Sequence, residues 1–484
     1  TNSFLVSSSD IDFTYAVFEG AEACFDNTVF VAPKINFANA HFRTENVSFS
    51  YCHFKVQRTD FSYSFFKGNS LSFKNAVFID GVKDFRYIDV EKANINFVNT
   101  DFGHGDVFFI NAQFGTGDVS FKVATFGDGA KDFHYARFFG SDVSFERCRF
   151  GNGLIDFSKV EFGSQKVSFN RAEMGKVNLN FEGCEQKTGR FNFKKVLIQG
   201  GSSNFSLVEM PDTEAVFSSS DIGMCTTSFH NSAFKSLFLQ SCHFDCYIDL
   251  RVKKADFLDL SDSIVRDIVD LMPYDWTVDI KSVNFEGMRL VGRMYLSWDK
   301  NRVKSMINNQ PNLSNRSKCE QFRVLKQNFN VTGQYTDEDK AYVEFRRHEM
   351  AALLDEMQQK STLKSFFYYP VYWFKKIVFD YMGLYATSPS RVLISVVVCW
   401  FLFGFGYFFI ELLGVGKTMS GVGNPDNISV FAQSFYHSAI TFFTIGYGDV
   451  FPMGVSRLFS ALEGFLGVFM MSYFTVAFVR KILR

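Results

Sequence analysis

Over its first half the chain places apolar residues at a spacing that excludes a helix. Phe recurs every twelve residues from Phe13 through Phe25, Phe37 and Phe49 to Phe217 and Phe229. A second Phe follows most of these five residues later, as at Phe18, Phe30, Phe42, Phe102 and Phe126. A smaller residue stands two before each, as in Val119-Ser-Phe121 and Ala124-Thr-Phe126, and a connector such as Gly115-Thr-Gly117-Asp118 closes the unit. Repeated glycine pairs would break a helix each time. Short strands with alternate residues inward, turned at glycine corners, fit the spacing. A short period held this long predicts a β-solenoid.

The residue before the main Phe alternates: Ser48, Asp60, Ser72, Asp84, and later Ser120, Asp132, Ser144, Asp156, Ser168. The larger period is therefore 24, which predicts two units and four faces per coil. Toward the end the connector is lost, and Phe229, Phe234, Leu239 and Phe244 follow in steps of five. Five residues then make one face, and seven a face with a bulged corner.

This pattern resembles the pentapeptide-repeat family of right-handed, four-sided β-helices, whose faces carry a small residue two before a central Leu or Phe. The resemblance covers roughly the first 250 residues, with fragments at Phe257 and Val283-Asn-Phe285. The alternation of five and seven departs from that family and leaves a flatter twelve-residue coil as the alternative. Nine or ten coils stacked about 4.8 Å apart would make a rod roughly 45 Å long. Replacing one ladder Phe by Ala is expected to cost about 3–5 kcal/mol through the cavity left behind. The Gly-x-Gly-Asp corners (Gly103 to Asp106, Gly115 to Asp118) admit a Ca²⁺ reading, but the Asp is often absent, and structural corners are the preferred account. Cys242-His-Phe-Asp-Cys246 offers a metal-like pair, yet Cys242 and Phe244 fall at inward positions, so buried core is preferred there too.

The solenoid domain is read as residues 1–298, with Asp259 to Trp298 as an end cap covering an otherwise exposed edge. Residues 299–362 read as a linker (Asn308 to Asn315) and a helical hairpin. Its first helix carries Phe322, Leu325 and Phe329 and ends near Gly333; its second opens at Thr336 with Asp337, Glu338 and Asp339 in the first turn. Residues 363–390 begin aromatic and turn basic, from Ser365 to Lys376, as an amphipathic interfacial segment does.

Residues 391–484 hold two apolar segments, Val392 to Leu413 and Leu458 to Val479, each long enough to cross a bilayer. Lys375, Lys376 and Arg391 precede the pair, and Arg480, Lys481 and Arg484 follow it. The positive-inside rule then puts both ends and the solenoid in the cytoplasm of a multi-pass plasma- or inner-membrane protein. Between the spans, a short amphipathic helix from Phe431 to Phe443 leads into Thr444-Ile445-Gly446-Tyr447-Gly448-Asp449. A dehydrated K⁺ needs rings of backbone carbonyls in place of its water shell. Gly446 and Gly448 allow the required dihedrals, and non-helical backbone at membrane depth is tolerated where it lines such a cavity.

These residues, with Pro452 and Arg457 after them, resemble the two-transmembrane-helix potassium channels; Ile445 stands where Val is commoner. The whole architecture resembles prokaryotic channels that fuse pentapeptide repeats to such a pore. The resemblance implies a homotetramer in the lipid bilayer, with K⁺ held at Thr444, Ile445, Gly446 and Tyr447. It further implies a gating hinge at Gly467 or Gly464, and a cavity lined by Met471, Thr475 and Val479. Glu463 is costly in lipid, about 2.5–3.5 kcal/mol, and is expected to face protein behind the filter. A non-selective cation channel of the same fold, with the solenoid as a scaffold or interaction module, is the alternative.

Composition narrows the rest. Among 484 residues Phe numbers 63 and Pro 8, a bias that suits one side chain serving one repeated purpose. A net charge of −1 gives no reason to expect nucleic acid. Nine scattered cysteines suggest reduced thiols rather than a disulfide framework. No nucleophile–base pair or phosphate loop is evident, so neither an enzyme nor an organic cofactor is expected; nor is there a voltage-sensing arginine ladder. The opening Thr-Asn-Ser-Phe lacks the pattern of a signal peptide. Because the chain ends just past the second span, regulation is expected to come from an unidentified cytoplasmic ligand or partner of the solenoid and to enter at the outer helix, through Lys375 and Arg391.

Overall fold

The computed structural model describes residues 3–483 except 141, 164, 223, 274–277, 311–312, 361 and 422–427, together with the side chains of 360 and 362–367. The linker and the interfacial segment expected from the sequence therefore lie partly outside the described residues. The chain forms two compact units, residues 1–313 with 327–334, and residues 314–326 with 335–484.

The first unit is a parallel β-solenoid with a 24-residue coil. Leu71 lies between Val47 and Ile95, and Ile95 between Leu71 and Val119. That register settles the coil in favour of the longer period and excludes the flat twelve-residue alternative. Four columns of stacked rings fill the interior: Phe37 on Phe61 (4.8 Å), Phe97 on Phe121 (4.7 Å), Phe114 on Phe138 (4.5 Å) and Phe102 on Phe126 (4.6 Å). The two main columns meet edge to face, as Phe37 does with Phe49 at 74°, an arrangement aromatic quadrupoles favour over face-to-face contact.

The corners are of two kinds, and glycine makes only one of them. Two residues after each main Phe the backbone is left-handed at a residue that is seldom Gly: Tyr51 (φ 58°), Tyr63 (57°), Asn75 (57°), Arg147 (57°). There the Phe49 carbonyl accepts the Cys52 N–H to close the turn, and the Tyr51 N–H donates to Lys74 of the next coil (2.9 Å). A left-handed L-residue costs roughly 1–2 kcal/mol, which that coil-to-coil bond helps offset. The small residue that follows points inward and ties back one coil: the Cys52 thiol donates to the Phe25 carbonyl (2.9 Å), Ser64 to Phe37 (2.7 Å), Cys148 to Phe121 (2.8 Å) and Cys184 to Phe157 (2.7 Å). All nine cysteines are free thiols, and four of them, Cys52, Cys148, Cys184 and Cys242, stand in this column, Cys242 donating to Phe217 (3.0 Å).

At the connectors the coils approach closely; a Cβ on Gly117 would lie 2.1 Å from the Ala93 carbonyl oxygen. The connector carboxylates accept backbone N–H groups of the next coil, Asp106 from Ala130 (2.8 Å) and Asp128 from Asn152 (2.7 Å). Two lysines occupy inward positions beside Val107: Lys83 bonds the carbonyls of Gly81 and His104, and Lys131 that of Asn152. Burial pushes both ammonium groups down to about 8.

The repeat runs further than its Phe pattern. About twelve turns are present, against nine or ten expected. The later coils shorten, so that Thr227 lies beside Ile248 and Ile248 beside Val269, and the last pairs Ile268–Asp270 with Arg293–Tyr295. The described strands within residues 259–298, expected as a cap, continue the coils, with Leu260, Leu271 and Leu296 filling the interior. The actual cap is helical. Helix α1 (Val303–Asn308) buries Val303, Met306 and Ile307, and Asn328 of α2 (Asn315–Val331) accepts the Met294 N–H and donates to its carbonyl at 2.9 and 2.8 Å, as another strand would.

In the second unit α3 (Tyr335–Lys360) packs its His348 ring against Phe322 of α2 at 5.5 Å. Helix α4 (Thr362–Lys375) runs into a π-helical turn at Lys376–Tyr381, and three further helices follow.

Candidate functional site

Helix α5 (Pro389–Leu412) and helix α7 (Ser456–Ile482) are each long and apolar enough to cross a membrane, and only 17% and 22% of their apolar windows are buried within the chain. A core helix of a water-soluble domain would be mostly covered. Between them lies α6 (Val430–Phe442), whose first turn is capped by Ser429 accepting the Ala432 N–H.

Glu463 joins all three helices. It is fully buried on α7, accepting the Tyr407 hydroxyl of α5 (2.7 Å) on one oxygen and the Ser438 hydroxyl of α6 (2.5 Å) on the other. Glu463 thus faces protein between α5 and α6 rather than the outer surface of the helices.

The segment after α6 is left-handed at alternate residues, Thr444 (φ 57°), Gly446 (60°) and Gly448 (76°). Its start is pinned to the helix end, where the Ile445 and Gly446 N–H groups both donate to the Ile440 carbonyl (2.9 and 3.1 Å). Its far end is held by the Tyr436 hydroxyl donating to Asp449 (2.8 Å) and by the antiparallel pairing of Gly416–Ser420 with Val450–Gly454. Within this chain the segment has no cover: Tyr447 is 72% exposed, Ile445 is 50% exposed, and a Cβ on Gly446 or Gly448 would touch nothing.

Helix α7 is continuous through both glycines read as hinge candidates. They differ sharply in surroundings: a Cβ on Gly467 would lie 2.1 Å from the Phe442 carbonyl oxygen, whereas one on Gly464 would meet only the Thr441 methyl, at 4.0 Å. Met471, Thr475 and Val479, four residues apart on one helix face, are exposed in the single chain.

Residues 395–484 match a family model described as an ion channel. The C-terminal part of this chain is an ion channel domain. With its two apolar helices it makes the chain a membrane protein, and the whole is a β-solenoid joined to a channel domain. Protein LctB of Bacillus caldotenax is 32% identical over 82 residues, 16% of this chain and 61% of that protein. Protein LctB of Geobacillus stearothermophilus is 33% identical over 84 residues, with the same shares. The match thus spans about three fifths of these curated relatives' length. No solved structure matches the chain.

At its C-terminal end α7 reaches α3. Asp339 pairs with Arg480 and Lys481, and the Arg480 guanidinium lies over the Tyr342 ring at 4.4 Å. Arg480 also donates to the Tyr385 carbonyl, and the Tyr473 hydroxyl accepts the Ala386 N–H (3.0 Å). Leu384, Tyr385 and Ala386 are three successive left-handed residues just before α5, a turn costing roughly 1–2 kcal/mol per residue. Two side chains of the inner helix therefore hold the strained entry to the outer helix. Arg347 of α3 adds a two-pronged bond to the buried Asp380 (3.0 and 2.7 Å). Lys375 and Arg391, expected to carry the connection, make no ion pair among the described residues. The sequence contains the α3 pairing only as an acidic first turn; nothing in it names the partner.

Proposed function

We propose that this chain is one subunit of a homotetrameric, potassium-selective channel with its solenoid and both ends in the cytoplasm. The alternating handedness at Thr444, Gly446 and Gly448 carries the reading. Extended backbone turns successive carbonyls to opposite sides; backbone of alternating hand turns them to one side, the arrangement a dehydrated K⁺ requires. One chain supplies one row of carbonyls, from Thr444, Ile445, Gly446 and Tyr447, and a ring takes four. The uncovered Ile445 and Tyr447 and the exposed apolar faces of α5 and α7 suit the three neighbouring copies. Asp449 stands at the outer mouth, Met471, Thr475 and Val479 line the inner cavity, and Gly467 is the hinge of α7. The α3 contact with Arg480 and Lys481 lets the cytoplasmic part bias the inner gate.

The test is the reversal potential of purified protein in a planar bilayer with KCl on one side and NaCl on the other. A value near the K⁺ equilibrium potential is expected. Clear current reversing near zero would leave a non-selective cation pore and overturn the selectivity.

A further inference from the structure

From Asp60 onward, one column of the solenoid carries carboxylates at Asp60, Asp84, Asp132, Asp156, Asp249 and Asp270, interrupted by Phe108 and by Asn180, Asn204 and Ser228. Each has one oxygen committed to the fold, accepting the N–H of the residue two further on, as Asp132 does from His134 (2.9 Å) and Asp156 from Ser158 (2.8 Å). What neutralises the charge differs along the column. Lys34 pairs with Asp60, Arg58 and Arg86 with Asp84, and Arg251 with Asp249 and Asp270. At Asp132 and Asp156 no ion pair occurs among the described residues. The places that Arg58 and Arg86 fill in earlier coils, two before and two after the column Asp, are held here by Ala130, Leu154, His134 and Ser158. Two stacked carboxylates are left facing one imidazole.

From this juxtaposition we infer a binding site for a divalent transition-metal ion, of the zinc class, formed by Asp132, His134 and Asp156. One donor atom from each side chain lies within 4.8 Å of the other two, and all three residues are half-buried. Independently of the carboxylates, the Nε2 of His134 is buried and has no hydrogen-bond partner, the state of a nitrogen that lacks its ligand. One imidazole and two carboxylates, with water in an open position, suit Zn²⁺ and its neighbours better than Ca²⁺, which takes oxygen alone. The site is built wholly from solenoid residues and does not depend on the channel's selectivity.

The test uses the full chain in detergent micelles, stripped with a chelator and titrated with ZnCl₂ by calorimetry. The comparisons are His134→Gln and Asp156→Asn; asparagine already serves the same turn at Asn180, one coil on, where it accepts the Glu182 N–H. The wild type is expected to bind Zn²⁺ at one site, with affinity at least about tenfold weaker in either variant, since loss of even an outer-shell partner costs that much. Co²⁺ in place of Zn²⁺ is expected to give ligand-field bands without thiolate charge transfer, which separates this site from the cysteines. No binding to the wild type would overturn the inference. Undiminished binding in both variants, or a thiolate signature, would overturn it equally.

Discussion

Asp339 meets Arg480 at 3.2 Å, joining the N-terminal part of α3 to the last turn of α7 across 141 residues of chain. Its other oxygen takes Lys481 at 2.9 Å. Both cations lie at the C-terminal end of α7, where the helix dipole also favours positive charge, so loss of Asp339 removes their ion pair while Arg480 keeps the Tyr385 carbonyl and the Tyr342 ring.

Asp339→Asn is therefore expected to change open probability at fixed voltage by several-fold to about a hundredfold, the usual span of an allosteric coupling energy. The reversal potential should not move. Single-channel recording reads both quantities, and the exchange Asp339→Arg with Arg480→Asp should recover part of the wild-type behaviour. Gating identical to wild type in the single variant would remove α3 from the gate.

Gly467 and Gly464 can be told apart. Gly467→Ala sets a methyl against the Phe442 carbonyl, where no flexible side chain can yield, and is expected to push α7 off the pore helix and abolish current. Gly464→Ala meets only a methyl at van der Waals distance and should preserve current. Bilayer recordings of the two variants, with tetramer yield by size-exclusion chromatography, decide the matter.

The solenoid should be most stable between about pH 8 and 8.5. Lys83 and Lys131 titrate at about 8 when folded and near 10.4 when unfolded. The unfolded chain thus holds more protons above pH 8, and stability rises with pH there by up to about 1.4 kcal/mol per pH unit for each lysine. Buried thiols act oppositely. Burial raises Cys52 to about 12 and Cys148 and Cys184 further, so their contribution is present below an unfolded value near 8.5 and is lost as pH climbs above it. Thermal melts followed by circular dichroism from pH 7 to 10.5 should show a maximum. Lys83→Met with Lys131→Met should flatten its acid side; an unchanged acid limb would show that the lysines are not what sets it.

Tyr407→Phe leaves one oxygen of the buried Glu463 without its donor. The expected cost is about 1–3 kcal/mol, seen as a lower melting temperature of the detergent-solubilised protein. Surface neighbours such as Phe409 should tolerate Leu.

Much of this was readable in the chain. The Ser–Asp alternation before each Phe encodes the long coil because those positions face different neighbours on opposite sides. Three things were not. The left-handed corners are filled by Tyr, Asn, Arg and Lys, held by coil-to-coil bonds rather than by intrinsic preference, so glycine was a poor guide to them. The last coils keep their inward alternation with Leu and Val, which erases the Phe signal without ending the fold. The cap and the Asp339 pairing join residues far apart in sequence, and no local pattern records such a partner.

The parallel register gives the solenoid a natural quantum of length. Whole coils can be added or removed, and every column then continues in phase: Phe on Phe, carboxylate on carboxylate, left-handed corner on left-handed corner. A change of twelve residues keeps the Phe spacing but rotates everything beyond it by half a turn, setting serine rungs where Asp60 and Asp84 share their arginines. The chain thus carries a reading frame in its geometry, in which half-steps preserve the apparent repeat and scramble the charge.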